Sequence, residues 1–381
     1  MDAMEAAINA LKLVVIFGMM IQAVPLLVWL ERRGSAFIQH RFGPNRVGPL
    51  GLLQLLADAV KFINKEEFVP GKGHRLLFFL APILAMMPGA LAVLAIPFST
   101  PIEIAAFDFA GSTWGPYLLK VQGADIPLGI IYIFGVSSLA TYPLLLAGWG
   151  SSNKFSLMGA LRASAQMISY ELAMGLAVVG VMIIYGTFYL NEMIDMQQGP
   201  MNFMFMGKEV IFPYLPNWGI FYQPLGFLLF LVCSYAEANR LPFDLPEAEG
   251  ELVAGYHTEY GGFKMLMFFI GEYGHMIVSS SVVIIFYFGG YLIPFLSTED
   301  LRQLLTGFVG EGAMLSLATS LVYLLSFIIK LVIFLWVFIW VRWSLPRFRY
   351  DQLMDLGWKT MLPWGLLNTF VTMLLVYLAH G

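Results

Sequence analysis

Apolar residues come along this chain in long blocks rather than in alternation. Eight runs read as membrane helices, at residues 8–30, 76–98, 126–148, 157–190, 219–236, 264–291, 312–341 and 357–379. The criterion is length: crossing the hydrocarbon takes about 20 mainly apolar residues at a rise of about 1.5 Å each. The fifth run is the shortest and has Pro224 near its start, while the fourth is long enough to begin before the hydrocarbon, with Arg162 at the interface. Residues 51–63 follow a different pattern. Leu52, Leu53, Leu55, Leu56, Ala59, Val60 and Ile63 fall near one helical face, with Gln54, Asp58 and Lys61 elsewhere. This run is too short to span and has a polar side, so it is expected to lie along the membrane interface. No internal repeat or soluble segment interrupts the blocks. The pattern therefore predicts an all-α fold: one integral membrane domain over residues 1–381, a polytopic bundle of eight transmembrane helices plus an interfacial amphipathic helix.

Composition agrees with that reading. The chain is 59% hydrophobic and only 12% charged, with a mean hydropathy of +0.75, whereas soluble domains carry about 25% charged residues. The net charge of -4 gives no reason to expect a nucleic-acid partner. The N-terminus opens with acids rather than a basic segment and reads as an uncleaved first span. Basic residues decide the orientation. Of the 21 Lys and Arg, sixteen fall in the odd-numbered connections, four on the opposite side, and Lys330 lies within a span. Because Lys and Arg accumulate on the cytoplasmic side, the odd connections are expected to be cytoplasmic, the interfacial helix with them. Both termini are then periplasmic, in a bacterial inner membrane.

Within the spans three ionisable residues stand out: Glu171, Glu272 and Lys330. Glu272 lies about 12 Å inward from Lys264, Glu171 about 14 Å from Arg162 and Lys330 about 18 Å from Arg342. A charge near the bilayer centre costs about 2.5–3.5 kcal/mol on insertion scales, so such residues face the protein interior and often mark ion paths. A structural Glu–Lys pair is the plainer alternative. The loop at 237–264 is the densest acidic segment, carrying Glu237, Asp244, Glu247, Glu249, Glu251 and Glu259 against Arg240 and Lys264. Its acids alternate with Pro242, Phe243, Leu245, Pro246, Leu252 and Val253, which argues for a folded, partly buried loop rather than a solvated one. Glu247 and Glu251, four apart, would repel on a helix if both were ionised, a condition that favours shared protons.

Other chemistries find no support in the pattern. No Gly-rich or Walker-type phosphate loop occurs. The lone Cys233 can neither form a disulfide within the chain nor hold an iron–sulfur cluster by itself. Of five histidines only His275 lies in a span, whereas bis-histidine haem needs two. No resident metal is expected.

Several blocks together resemble one family. ERRGSAFIQHRFGPNRVGPLGLLQLLADAVKFINKE at 31–66, RASAQMISYE at 162–171, EANRLPFDLPEAEGELVAGYHTEY at 237–260, FIGEY at 269–273 and LPRFRYDQLMDLGWK at 345–359 are similar, in order, to one family of membrane subunits of proton-pumping NADH:quinone oxidoreductase, complex I. That family is the H-type one, the counterpart of the mitochondrial subunit 1. The resemblance covers nearly the whole chain. It implies a membrane subunit with no complete active site of its own, acting on quinone as substrate, with FMN and iron–sulfur clusters in partner subunits. The implied partners are the peripheral-arm quinone-site and terminal iron–sulfur subunits, the neighbouring small membrane subunits and lipid. It assigns Glu31, Arg32, Asp58, Lys61, Arg240 and Asp244 to the quinone chamber. It assigns Glu171, Glu237, Glu247, Glu249, Glu251, Glu259, Glu272 and Lys330 to a proton relay, and Arg347, Arg349, Tyr350 and Asp351 to structural or interface roles. A membrane anchor of a complex-I-like hydrogenase or formate hydrogenlyase is one alternative, against which the GPNRVGP loop and the amphipathic helix weigh. A stand-alone ion transporter is another, but neither inverted repeats nor broken helices are visible in the sequence.

Overall fold

The computed structural model describes residues 3–104, 107–109, 112–114, 116–205, 208–244 and 253–380. Nearly all of the apolar blocks are helical, because in lipid the backbone must satisfy its own hydrogen bonds. The helices are α1 (Ala3–Ile38), α2 (Gln54–Asn64), α3 (Arg75–Val93), α4 (Gly129–Ser138), α5 (Thr141–Gly150), α6 (Lys154–Tyr185) and α7 (Leu190–Asp195). They continue as α8 (Gly219–Tyr222), α9 (Pro224–Glu237), α10 (Gly262–Tyr287), α11 (Thr298–Val309), α12 (Ala313–Ser344), α13 (Tyr350–Asp355) and α14 (Leu362–His380). A six-residue π-helical stretch, Leu356–Met361, joins the last two. Among the described residues seven helical stretches are long and apolar enough to cross a membrane, α4 with α5 forming one and α13 with α14 another.

The fifth expected span is different. Its helix α9 has 14 residues, starting at Pro224 with the short α8 turn before it, so it rises about 21 Å rather than about 30 Å. It can be short because it is packed inside the bundle, with Phe230, Cys233 and Ala236 fully covered. The third expected span is interrupted. Between α4 and α5 the chain turns at Leu139–Ala140, where amides bond three residues back: Leu139 to Val136 and Ala140 to Ser137. Two local causes coincide. Pro143 has no N–H to offer the carbonyl of Leu139, and the Ser138 hydroxyl bonds back to the Phe134 carbonyl at 3.0 Å. The span therefore contains a 3₁₀ step, not visible in the sequence pattern, with Leu139 and Ala140 still in the right-handed helical region.

Helix α10 is the axis of the bundle: 83% of its most apolar window is buried, against 17% for α1 and 22% for the α13–α14 span. It packs most closely on α3, where small residues let the backbones approach. A Cβ on Gly271 would stand 2.4 Å from the Ala85 carbonyl oxygen, and one on Gly89 would stand 3.2 Å from Gly274. Helix α6 starts at Asn153, whose side chain accepts from the Phe155 amide, and stops at Gly186 in the left-handed region, the expected start and stop chemistry.

The odd-numbered connections meet at one end of the bundle. Lys264 pairs with Glu67 at 3.2 Å, Arg347 with Asp244 at 3.2 Å, and Arg342 with Glu31. At the other end lie the only sheets among the described residues. Strands β1 (Ile102–Ile104) and β4 (Tyr117–Leu119) pair antiparallel, as do β2 (Phe107–Phe109) and β3 (Ser112–Trp114), which lie between them in sequence. Strands β5 (Pro200–Phe205) and β6 (Lys208–Pro216) form a third antiparallel pair. Just beyond β4, Asp125 meets Lys120 and the Tyr189 hydroxyl. Partial burial opposes its charge, but those two partners outweigh burial and hold the carboxyl below its usual range.

Candidate functional site

The end of the bundle where the odd connections meet carries a buried chain of charges. It starts on α1, which continues past its apolar stretch so that Glu31 sits near the last turns, 8% exposed. Three groups converge on that carboxylate. Tyr273 donates its hydroxyl at 2.6 Å, Arg342 of α12 pairs with one oxygen, and Arg240 Nη1 lies 3.8 Å from the other. The second prong of Arg240, Nη2, lies 3.7 Å from Glu272, and its guanidinium stacks over the Tyr273 ring at 4.0 Å. Glu272 in turn accepts from the Tyr256 hydroxyl at 2.8 Å, with His257 Nε2 at 3.8 Å. The order Arg342, Glu31, Arg240, Glu272 thus alternates in sign. Alternation is what makes such burial tolerable, since an unpaired buried charge costs several kcal/mol. The two contacts of Arg240 are Coulombic rather than hydrogen-bonded at these distances.

Local structure places each member. Neighbours on a helix point about 100° apart, so α10 turns Tyr273 toward α1 and Glu272 toward Arg240 and Tyr256. The turn holding Tyr256 and His257 sits flush on α6 because a Cβ on Gly159 would stand only 2.7 Å from the Gly255 backbone. The connection after α9 is tied to α6 by Gln166, whose amide nitrogen donates to the carbonyls of Ala236 and Phe243, both at 2.8 Å. That tether fixes Arg240 between its two carboxylates.

Inward from Glu272 two small cavities follow. The first, about 30 Å³, is bordered by Glu272, Glu237, His275, Asn239 and Tyr256. The second, about 10 Å³, is bordered by Glu237, His275, Ser137 and Ser279. A water needs about 10–15 Å³, so the first has room for water and the second is at the limit. Glu237 and His275 border both. At the α4–α5 step, Ser137 faces the second cavity, and the hydroxyl of its neighbour Ser138 lies within hydrogen-bond reach of both Glu171 on α6 and the Phe134 carbonyl, which share its one proton. Glu237 also lies within electrostatic reach of Glu171. Three carboxylates on three helices, Glu272, Glu237 and Glu171, are thus linked by two cavities and a pair of hydroxyls.

The remaining expected site residues fall elsewhere. Arg32 bonds Asp58 of α2 at 2.5 Å, and Gln54 donates to the same carboxylate at 3.2 Å. The polar side of α2 therefore faces the bundle, leaving Leu53, Leu56, Val60 and Ile63 exposed beside the exposed Lys61. Asp244 is held by Arg347. Arg349 pairs with Asp351 in the open, while Arg162 stacks on Tyr350 at 5.5 Å. Glu259 accepts from Asn153 at 2.8 Å and borders a separate surface cleft with Lys72 and Lys154. Lys330 donates to three carbonyls, of Phe288, Gly290 and Leu292, at 2.6–2.9 Å, and lies 4.8 Å from the Trp218 ring. Neither Glu171 nor Glu272 is its partner, so the Glu–Lys pair weighed as an alternative does not form. Glu247, Glu249 and Glu251 lie outside the described residues.

Sequence reasoning did not anticipate Arg342, Tyr256, His257, Tyr273, Ser137 or Ser138. Arg342 served only to orient the chain and to mark the depth of Lys330, and nothing in the spacing marks the others. His275 carried a usable signal, three residues beyond Glu272 and hence on the same helical face.

Comparison with known proteins bears on this arrangement. Residues 11–373 match the family model described as NADH dehydrogenase. The chain is 62% identical over 378 residues to the NADH-quinone oxidoreductase H subunit of Bdellovibrio bacteriovorus, covering 99% of this chain and 98% of that one. It is 43% identical to an NADH-quinone oxidoreductase H subunit of Cytophaga hutchinsonii, over 90% of this chain and 89% of that one. It is also 43% identical to NADH-quinone oxidoreductase subunit 8 of Rhodothermus marinus, over 95% of each.

Proposed function

We propose, for a chain that belongs to the NADH dehydrogenase family of complex I membrane subunits, that its charged end walls the quinone chamber and that its buried acids couple quinone reduction to proton translocation. Membership makes it a multi-pass membrane subunit of an oxidoreductase, and the hydrogenase-anchor and transporter alternatives are not favoured. The observation that carries the proposal is the continuity from Glu31 through Arg240 to Glu272, and onward by the cavities to Glu237 and Glu171.

Such a chain can respond to charge. Each carboxylate of the Arg342–Glu31–Arg240–Glu272 series shares its cation, so a change of charge at one end re-weights every pair along it. Quinone reduction creates negative charge and takes up two protons. A carboxylate at the chamber rim answers by shifting toward a guanidinium or by binding a proton, and Glu272 can transmit that answer into the cavities. Arg32 and Asp58 are assigned to the entrance, where the open apolar side of α2 suits an amphiphilic ligand. Glu247, Glu249 and Glu251 are assigned to the rim on the resemblance, whereas Lys330 and Glu259 are left out of the relay on their placement. The quinone-site and terminal iron–sulfur subunits of the peripheral arm seat on this end, and FMN and the iron–sulfur clusters are held by partner subunits. Neighbouring small membrane subunits and lipid cover the flanks. The membrane is the bacterial inner membrane, with the charged end cytoplasmic and both termini periplasmic.

The test is Glu272→Gln in the assembled complex, which preserves shape and hydrogen bonding but removes titration. Quinone reduction by NADH and proton pumping should fall together, while electron transfer from NADH to ferricyanide stays intact. Full quinone reduction and full pumping per assembled complex would end the relay reading.

A further inference from the structure

We propose that His275 is a proton-carrying station between Glu272 and Glu237, a role that rests on the acidic-path reading above and names the group that bridges it. The observation is positional. Of the residues bordering the two cavities only Glu237 and His275 border both. His275 shares the first cavity with Glu272, three residues earlier on α10, and the second with Ser137, beside the hydroxyl that holds Glu171. A proton leaving Glu272 for the deeper acids therefore enters a cavity whose wall holds both the imidazole and Glu237.

The ring is also chemically available. It is 7% exposed, and its Nε2 is buried with no hydrogen-bond partner among the described residues. A histidine kept for structure normally has its buried nitrogens satisfied, because an orphaned polar atom costs about 1–3 kcal/mol. Here the orphan belongs to a ring that borders a space large enough for water. A buried imidazolium is costly unless a carboxylate faces it, and two carboxylates, Glu272 and Glu237, share its first cavity. Tyr256, on the same wall, donates to Glu272 and so steadies the donor carboxyl.

The step balances in protons and charge. Glu272, having bound a proton from the chamber side, gives that proton to the ring and is carboxylate again, the ring becoming imidazolium. The imidazolium gives one proton to the carboxylate of Glu237 and is neutral again. No electron moves and no bond between heavy atoms changes.

The experiment uses the whole complex in proteoliposomes and four variants: Glu237→Gln, His275→Gln, His275→Asn and His275→Ala. NADH:ferricyanide activity normalises for assembly. The expected result is a loss of at least about tenfold in coupled quinone reduction for Glu237→Gln, His275→Gln and His275→Asn alike, below the range of about 10²–10⁴ seen when a proton-transfer group sets the rate. His275→Ala should be partly restored by millimolar imidazole but not by pyrazole, which is of the same size and far less basic. A structural histidine makes no such distinction. Should Glu237→Gln be defective while both His275→Gln and His275→Asn turn over normally, the histidine proposal falls and the acidic path stands. Should His275→Ala respond equally to both azoles or to neither, the proposal also falls. Normal turnover in Glu237→Gln would remove the acidic path through this cavity, and the station with it.

Discussion

Replacing Arg240 by Met would leave Glu31 and Glu272 facing each other without the cation between them. The side chain is only 9% exposed, and its two prongs stand 3.8 and 3.7 Å from the carboxylates. At an effective dielectric of about 20 each contact is worth about 4 kcal/mol, and removing one partner of a buried pair costs about 3–5 kcal/mol. Arg342 still holds Glu31 and Tyr256 still holds Glu272, so part of that cost relaxes away. If only a third of about 4 kcal/mol remains in the turnover step, the rate falls about tenfold. The assay is NADH:quinone reductase per assembled complex, normalised to ferricyanide reduction, for Arg240→Met, Glu272→Gln and the double variant. Contact predicts non-additivity: an interaction energy of about 1 kcal/mol or more, seen as a roughly fivefold departure from the product of the single effects. Arg240→Lys should recover little, because an ammonium is a single point and cannot span two carboxylates from one planar fork. Strict additivity, or full activity of Arg240→Lys, would refute the bridging role.

Two further outcomes follow from packing and from sidedness. Gly271→Ala places a methyl 2.4 Å from the Ala85 carbonyl, so α3 and α10 must part; overpacking of about 1–3 kcal/mol should lower the yield of assembled complex on native gels, and wild-type yield would contradict the close approach. Cys233 is fully buried and therefore silent, so Glu311→Cys, exposed between α11 and α12, provides a single reactive thiol. It should react with a membrane-impermeant maleimide added outside whole cells, and labelling only after permeabilisation would reverse the orientation.

Much of this molecule is legible in one dimension. Hydrocarbon thickness imposes a length on each span, and backbone polar groups in lipid have no partner but their own helix, so apolar run length alone locates α1, α3, α6, α10, α12 and α14. The sidedness of Lys and Arg then groups the connections, and contacts such as Lys264 with Glu67 bring those same connections together at one end. The cost of a charge inside the bilayer singles out Glu171, Glu272 and Lys330, since each must have a reason to be there. What each reason is depends on distance in space. Arg342 lies 311 residues from Glu31 and reads as one more basic residue after a span, yet it closes the charge chain. Lys330 resembles the two acids by position, but it is spent on the carbonyls that follow α10, because α12 happens to pass the end of that helix. The step at Leu139–Ala140 needs Pro143 to withhold a donor, and it matters only because it sets Ser138 against Glu171. A spacing pattern records which face of a helix a residue occupies. It does not record which other helix arrives at that face, and here the helix that arrives decides whether a charge is a pin, a pair or part of a path.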